Sequence, residues 1–393
     1  MTALEPLALL PLAFWIGLAL DRSRAWPREF RLPDEGEPAT TAVVAIVPAR
    51  DETDVLPRTL PSLIAQDHAR SSIIVVDDGS SDGTAETATR IASEHRGGDR
   101  VRVLTAPPKP IGWSGKLHAV ATGVREARAA GAPEWLLLTD ADIHHRPGSV
   151  RALVSRARAG GYDLVSVMAR LHAESRWERL LIPPFVFFFQ LLYPFRRIAD
   201  PRSGVAGAAG GCVLVRDDAL RLIGGIEAIH GALIDDVALG RAVKRAGGRT
   251  WLGFDDGIVS LRRYPALGDV WQMVARTAFD QLGYRYEVAV AVFAGIFVFL
   301  VSPPLLLVAA LAGPWDPAHV RAAAAAAGAW GLSVGALLPS VRHHHVPARW
   351  AATLPLASFF YALMTATSAW DHLRGRGGRW KGRVRDAAAG GPA

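Results

Sequence analysis

Two pairs of acidic residues in this chain have the types and spacing to do chemistry. Asp140 and Asp142 come just after the apolar run 135–138. The backbone turns where a strand ends, so both carboxylates can converge on one point. Two hard oxygen ligands of this kind suit Mg²⁺ or Mn²⁺, and such a metal can hold a diphosphate. The first pair therefore predicts a divalent metal site.

The second pair, Asp235 and Asp236, stands at the start of a predicted helix and could supply a general base. Adjacent carboxylates repel each other, which raises the pKa of one of them toward the neutral range. Acids at a helix N-terminus are also favoured by the helix dipole alone, so a structural role stays open. His144 and His145 could add a metal ligand, although turn residues are the commoner interpretation.

Acid-bearing motifs also follow the two earlier apolar runs, at 48–52 and 77–84. Their carboxylates could accept hydrogen bonds from the N–H of a uracil-type base and from ribose hydroxyls. Each motif is equally compatible with an ordinary strand–turn–helix junction. No Gly-x-Gly-x-x-Gly follows the first run, which disfavours a dinucleotide-binding dehydrogenase.

Lys116 lies on a glycine-bearing turn before the run at 135–138. The turn departs from a P-loop, because Pro110 stands where the first glycine belongs and Leu117 replaces the metal-binding Ser or Thr. A lysine on such a turn can still contact a diphosphate as a point charge. A solvated lysine at a helix start explains the same residue.

The elements that must position these residues alternate along the chain. Continuous apolar runs are typical of strands covered on both faces, and helix-like stretches separate them. This alternation predicts an α/β fold with a mostly parallel sheet, whose ligands lie outside the carboxyl ends of the strands. The predicted strands are 42–47, 73–76 and 135–138, and the predicted helices are 53–66, 84–95 and 116–130.

The charge balance favours a lipid surface over nucleic acid. The formal charge is +7, and the basic residues cluster beside apolar runs, where anionic headgroups would meet them. We therefore predict a lipid bilayer as partner and no nucleic acid. The single cysteine, Cys212, excludes an intrachain disulfide and is consistent with a domain that faces the cytosol.

Apolar segments at both ends predict membrane helices. Residues 1–40 are predicted as an uncleaved N-terminal anchor and linker, with basic residues after the apolar run that place the following domain in the cytosol. The apolar run is short for a span, so an interfacial helix is the alternative. Residues 286–371 are predicted as a transmembrane region with candidate spans at 288–312, 320–338 (the weaker) and 350–370. Three spans would leave the basic tail 372–393 outside, against the positive-inside rule, so we expect one of them to be re-entrant or interfacial.

The segment 176–197 combines a phenylalanine-rich core with flanking arginines. Its three prolines argue against a spanning helix. We predict an interfacial element that lets a lipid acceptor reach the site, with a buried core segment as the alternative.

The order of these motifs resembles family 2 glycosyltransferases of the GT-A fold, a Rossmann-like α/β fold. Within them the chain is most similar to the membrane-bound, ceramide-glucosyltransferase-like group and to hopene-associated glycosyltransferases. The resemblance covers roughly residues 40–285, which gives a glycosyltransferase domain at 41–285, and the motif at 380–383. The motifs are Val47–Glu52, Val76–Ser80, Gly115-Lys116, Asp140-Ala141-Asp142, Gly210-Gly211 and Asp235-Asp236.

The resemblance implies a role for each residue. Asp142 would bind the metal, Asp140 would lie near the donor and the metal, and Asp236 would be the catalytic base, with Asp235 where the family has Glu. Arg276, in the nearest match to a Gln-x-x-Arg-Trp motif that here lacks its Trp, would stabilise the diphosphate. The substrate-binding residues would be Pro48, Ala49, Arg50, Glu52, Asp77, Asp78, Lys116, Asp140 and Gly211.

The predicted function is inverting transfer of a sugar from a nucleotide-sugar to a membrane lipid, with a divalent metal, Mg²⁺ or Mn²⁺, as cofactor. The resemblance adds a hopanoid context, and a multi-pass protein of the bacterial inner membrane with a cytoplasmic catalytic domain. Two alternatives remain open. One is a polyprenyl-phosphate sugar transferase, whose acceptor needs no strong base, and the other is a non-catalytic membrane protein that binds a nucleotide-sugar.

Overall fold

The computed structural model describes residues 4–36 and 40–375, which form two compact units. We name Pro27–Leu171 together with Phe195–Arg262 the sheet unit. Residues 4–26, 172–194 and 263–375 form the helical unit. Most of the predicted basic tail, including the motif at 380–383, lies outside the described residues.

Strands and helices alternate through the first part of the sheet unit, as the sequence predicts. The predicted strands 42–47, 73–76 and 135–138 are β1, β2 and β4, and the three predicted helices are α2, α3 and α4. In chain order the elements are α1 Leu4–Leu20, β1 Val43–Ala49, α2 Leu56–Ile64, β2 Ser71–Asp77, α3 Thr84–Glu94, β3 Val101–Thr105, α4 Gly115–Ala129, β4 Trp135–Thr139, β5 Ile143–His144, α5 Ser149–Gly160, β6 Leu164–Arg170, α6 Arg176–Leu192, α7 Phe195–Ala199, β7 Cys212–Arg216, α8 Asp217–Leu222, α9 Asp235–Arg245, β8 Thr250–Ser260, α10 Leu267–Ala275, α11 Ala278–Gln281, α12 Tyr286–Ile296, α13 Ser302–Ala312, α14 Pro317–His343 and α15 Leu354–Leu373.

The sheet has eight strands in the order β3-β2-β1-β4-β7-β6-β8-β5. β1 pairs in parallel with β2 and β4, β2 with β3, and β6 with β8. β7 runs antiparallel to both of its neighbours, and β5 is antiparallel to β8. The predicted α/β fold with a mostly parallel sheet is confirmed, and its GT-A character is taken up below.

Both faces of the sheet are covered, which explains why its strands are continuous apolar runs. Alternate residues of β1 point to opposite faces. Val43, Ala45 and Val47 join one buried cluster together with Leu56 and Leu60 of α2. The other face carries a second cluster, which contains Val44, Ile46, and Leu117 and Val120 of α4.

Two helices of the helical unit are long and apolar enough to cross a membrane, within the residues that the structure describes. They are Tyr286–Ala312 and Pro317–His343. The first stays helical across Pro303 and Pro304, because a π-helical turn at Phe297–Val301 precedes them and they occupy the first turn of α13. The sequence favoured the segment 350–370 over the segment 320–338 as a span. In the structure, α14, which contains 320–338, is long and apolar enough to cross a membrane, whereas α15 is not.

α6 is a single helix of 17 residues despite Pro183 and Pro184 in its interior. It begins with a capping box between Ser175 and Glu178. In the proline-containing turn, the Tyr361 hydroxyl donates to the Leu181 carbonyl at 2.8 Å, and a serine of α14 donates likewise to Pro183. These hydrogen bonds tie the middle of α6 to the neighbouring helices of the helical unit. Much of α6 is buried within the helical unit, and its interfacial role stays a prediction.

Candidate active site

The predicted residues of the sheet unit gather where β1, β2 and β4 end. Asp77 is the last residue of β2, and Asp140 comes directly after β4. Because β7 runs antiparallel to β4, its beginning lies at the same edge of the sheet. The Gly211 carbonyl there accepts hydrogen bonds from Thr139 Oγ1 at 2.8 Å and from the Asp140 amide at 3.3 Å. This edge is where parallel sheets of α/β proteins bind ligands.

The loops after β1 and β2 are joined by the Arg50 side chain. Its Nη1 donates to the Asp78 carbonyl at 3.1 Å and lies 3.4 Å from Asp78 Oδ2. A Cβ atom added to Gly115 would lie 2.2 Å from that same Oδ2. Glycine therefore precedes Lys116 because the start of α4 approaches Asp78 closely.

Asp77 shapes the turn that follows β2. Its Oδ2 accepts hydrogen bonds from the backbone amides of Gly79 and Ser80, both at 3.2 Å. The Ala49 carbonyl accepts from the Asp78 amide at 2.9 Å, which fixes the ends of β1 and β2 relative to each other. The motifs around Asp77 and Asp78 thus have structural hydrogen bonds in addition to any contact with a ligand.

Lys116 lies between acids from two different elements. Its Nζ is 2.8 Å from Asp140 Oδ1 and 3.0 Å from Asp235 Oδ2. Burial opposes the charge of Lys116, but these carboxylates raise its pKa, so the lysine stays protonated. The pocket around it has about 380 Å³ of empty space, and its lining includes Pro48, Gly210 and Asp236.

Asp236 is an acid of this pocket whose pKa lies near neutrality. Its Oδ2 accepts from the Gly210 amide and its Oδ1 from the Val237 amide, both at 2.7 Å. Burial and the neighbouring Asp235 carboxylate raise the pKa of Asp236 to about 7, although Lys116 opposes the shift. This is the direction that the sequence predicts for one acid of the pair, and it suits a general base near neutral pH.

Asp142 contacts two residues that sequence reasoning missed. Ser260 Oγ donates to Asp142 Oδ2 at 2.6 Å, and Arg262 Nε lies 3.6 Å from the same oxygen. Arg262 Nη2 also donates to Glu52 Oε1 at 2.6 Å. The pairing of β5 with β8 brings residues 118 positions apart together, and no local pattern in the sequence signals it.

His145 is part of the buried support behind the first acidic pair. Its Nε2 lies 2.9 Å from Thr139 Oγ1, and its Nδ1 lies 3.3 Å from Ser149 Oγ. Burial and the adjacent His144 lower the pKa of His145 to about 3, so the ring is neutral. Among residues 4–36 and 40–375, no group of three or more His, Cys, Asp or Glu could hold a metal, so the histidines complete no ligand set.

Asp140 and Asp142 fit a divalent cation that is also held by a substrate. Mg²⁺ in particular binds one or two carboxylates and takes its remaining ligands from phosphates and water. Burial raises the pKa of Asp140, and the Asp142 carboxylate adds to this shift against the effect of Lys116, so a bound cation would stabilise the ionised form. The Ser260 hydroxyl orients Asp142, as the supporting groups around metal ligands commonly do.

Arg276 belongs to the helical unit, where it is the C-cap residue of α10. Its Nε is buried and makes no hydrogen bond in the described part of the chain. A role for Arg276 at the diphosphate stays a prediction.

Comparison with known proteins supports the family predicted from the motifs. Residues 44–224 match the family described as glycosyl transferase family 2. A dolichol-phosphate mannosyltransferase of Mycosarcoma maydis is 32% identical over 123 residues, 30% of this chain and 38% of that protein. An N-acetylglucosaminyl-diphospho-decaprenol L-rhamnosyltransferase of Mycobacterium tuberculosis is 27% identical over 219 residues, 50% of this chain and 67% of that protein. The chain thus spans less than two thirds of the mannosyltransferase.

A solved structure extends the comparison to nearly the whole chain. The mannosyltransferase PcManGT from Pyrobaculum calidifontis, in complex with GDP-Man and Mn²⁺, superposes with a TM-score of 0.55 and 18% identity. The match covers 94% of this chain and 99% of that one. At this identity the likeness concerns the fold, which is the GT-A type of α/β fold.

Proposed function

Because the chain is a glycosyltransferase with a family 2 domain of the GT-A fold, we propose that it transfers a sugar from a nucleotide-sugar to a hydroxyl group of a membrane lipid, with inversion at the anomeric carbon. The observation that carries this proposal is the pocket shared by Asp236, Lys116 and Asp140. It combines an acid of near-neutral pKa with a lysine and a carboxylate that suit a metal-bound diphosphate.

The nucleoside part of the donor binds at the ends of β1 and β2. Carboxylates there are suitable acceptors for a base N–H and for ribose hydroxyls. Arg50 and Asp78 form one wall of this subsite, and Gly211 lies at the sugar side next to Asp140. We assign nucleotide and sugar binding to Pro48, Ala49, Arg50, Glu52, Asp77, Asp78, Lys116, Asp140 and Gly211.

Asp140 and Asp142 would hold the divalent cation. When bound, the cation would neutralise charge on the diphosphate as it departs. Lys116 adds a second positive charge on the same side of the pocket, and its contacts with two carboxylates hold it in place before the donor arrives. Arg276 is a further candidate for the diphosphate.

Asp236 takes the proton of the acceptor hydroxyl as the hydroxyl oxygen forms its bond to the anomeric carbon. The bond from that carbon to the diphosphate oxygen breaks at the same time, and its electron pair leaves with the diphosphate. Burial and the Asp235 carboxylate keep the pKa of Asp236 high enough for this transfer, and the Gly210 amide holds the carboxylate in orientation.

The acceptor is assigned to a membrane lipid on three grounds. Two helices of the helical unit could span a bilayer. The names of two relatives specify dolichol-phosphate and diphospho-decaprenol, which are lipid carriers. The basic residues beside apolar segments suit anionic headgroups. We extend this to a multi-pass protein of the bacterial inner membrane with a cytoplasmic catalytic domain, and to a place in hopanoid metabolism.

The test is to incubate membranes that contain the full chain with a panel of labelled nucleotide-sugars and to analyse the extracted lipids by mass. We expect one donor to label a lipid carrying a hydroxyl acceptor, and Asp236→Asn to abolish that labelling without loss of the folded protein. Labelling of no lipid by any donor would contradict the proposal.

A second candidate is transfer to a polyprenyl phosphate, which the dolichol-phosphate relative favours. A phosphate acceptor is already ionised and needs no strong base, so Asp236→Asn would then retain activity. Donor binding without any turnover would instead favour a non-catalytic protein. The same variant therefore separates the candidates.

A further inference from the structure

Arg262 joins two acids that the proposed function gives to different parts of the donor site. Its Nη2 donates to Glu52, on the nucleoside side, at 2.6 Å. Its Nε lies 3.6 Å from Oδ2 of Asp142, on the metal side. We propose that Arg262 makes cation binding at Asp142 depend on the diphosphate, so that metal and nucleotide bind together and each binds weakly alone. This inference rests on the proposed donor site.

The guanidinium is anchored on Glu52. The Glu52 side chain is buried, with 8% of its surface exposed, and its backbone amide donates to Thr84 Oγ1 at 2.9 Å. The planar guanidinium of an arginine makes a strong, directional contact with a buried carboxylate. Arg262 is therefore held where it is by Glu52 rather than by Asp142.

The backbone of Arg262 is fixed as well. The Leu261 amide donates to the Asp142 carbonyl at 2.9 Å, and the Arg262 amide donates to Ser260 Oγ at 3.3 Å. These contacts hold the backbone end of the side chain near Asp142, and Glu52 holds the guanidinium end. A small movement could lengthen the 3.6 Å contact with Asp142, but the positive charge would stay in the neighbourhood.

The consequence is electrostatic. A divalent cation on Asp142 alone would stand close to the guanidinium, and like charges in a partly buried site repel more strongly than in water. A bound diphosphate offers the guanidinium an alternative partner, so that a small movement away from Asp142 relieves this repulsion only when the diphosphate is present. The cation and the nucleoside diphosphate must then raise each other's affinity by the same factor.

The experiment measures this factor on the full chain. Free Mn²⁺ is followed by electron paramagnetic resonance with and without UDP, and in parallel with and without GDP. For the unmodified protein we expect one diphosphate to tighten Mn²⁺ binding by a factor in the roughly 5–150-fold range usual for coupled ligands. In Arg262→Gln we expect Mn²⁺ alone to bind about tenfold tighter and the coupling factor to fall correspondingly.

Two further variants serve as controls. Arg262→Lys keeps the positive charge and should keep most of the coupling. Arg90→Gln removes the same charge from an exposed ion pair with Glu94 on α3 and should change neither measurement. Thermal unfolding checks that each variant is folded.

The outcomes are distinguishable. If the unmodified protein shows coupling but Arg262→Gln binds Mn²⁺ alone no tighter, Arg262 does not act as proposed and the donor site itself stands. If the folded, unmodified protein fails to bind Mn²⁺ both in the presence of UDP and in the presence of GDP, the proposed donor site is wrong. This inference then fails with it.

Discussion

Two clusters of opposite charges stand at the ligand-binding edge of the sheet, and they are built differently. In the Lys116 cluster, one lysine meets Asp140 and Asp235, with Asp236 adjacent. In the Arg262 cluster, one arginine meets Glu52 and Asp142. The first has three carboxylates for one cation and the second has two, one of which also accepts from the Ser260 hydroxyl.

The difference between the clusters indicates that one site can separate proton transfer from the holding of a ligand. Burial, together with the neighbouring Asp235 carboxylate of the Lys116 cluster, raises the pKa of Asp236 into the range of a useful base. The Arg262 cluster offsets more of its charge and adds a hydroxyl donor, which suits it to hold and orient rather than to exchange protons. We therefore expect substitutions in the two clusters to have different signatures.

The largest effect is expected for Asp142→Ala in the Arg262 cluster. Loss of a metal carboxylate should lower transfer about 1,000-fold and abolish tight Mn²⁺ binding in the presence of diphosphate, because the charge on the leaving group is then poorly compensated. Radiolabel transfer and Mn²⁺ resonance measure the two effects. The matched control is Asp218→Ala, an exposed acid in the first turn of α8. If Asp142→Ala binds Mn²⁺ normally, the metal site does not include Asp142.

Lys116→Met should lower transfer about 100-fold and change its pH dependence as well. Lys116 opposes the upward shift of the Asp236 pKa, so removing it should raise that pKa further. The rising limb of the kcat/KM profile should then move to higher pH. Lys116→Arg keeps the charge and should leave the limb near its original place. If the rising limb of the kcat/KM profile does not move in Lys116→Met, Lys116 does not influence the pKa of the catalytic base.

The smallest effect is expected for Ser260→Ala. Without the hydroxyl, Asp142 keeps its charge but loses an orienting hydrogen bond, which should weaken Mn²⁺ binding about tenfold. The pH profile should stay unchanged, because Ser260 contacts no acid of the Lys116 cluster in the described structure. Ser93→Ala, on the exposed face of α3, is the control. A shifted profile would show that the two clusters are not separate.

The sequence was more informative about the Lys116 cluster than about the Arg262 cluster. Asp140 follows an apolar run, Lys116 lies on a glycine-bearing turn and Asp235 begins a helix, so each stands in a short local motif. The edge where parallel strands end brings such motifs together. Ser260 is the last residue of a long strand and Arg262 comes soon after it, with no motif around either residue. Their approach to Asp142 depends on an antiparallel pairing over 118 positions, which local patterns do not specify.

Four prolines of the helical unit lie within helices, although proline in a helix interior usually disrupts it. Pro183 and Pro184 lie inside α6, and Pro303 and Pro304 lie in the first turn of α13, where proline costs little. A π-helical turn precedes the second pair, and hydroxyls of neighbouring helices donate to carbonyls of α6. Such tertiary contacts are not visible in a single sequence.

The most direct test of the central claim is the pH profile of kcat/KM for the unmodified protein. If Asp236 is the base, transfer should fall about tenfold for each pH unit below about 7 and level off above it, because only the ionised carboxylate can take the proton. The same profile for Asp236→Asn should be flat and low. A flat profile for the unmodified protein between about pH 5 and 8 would contradict the account, because no acid with the raised pKa of Asp236 would then control the reaction.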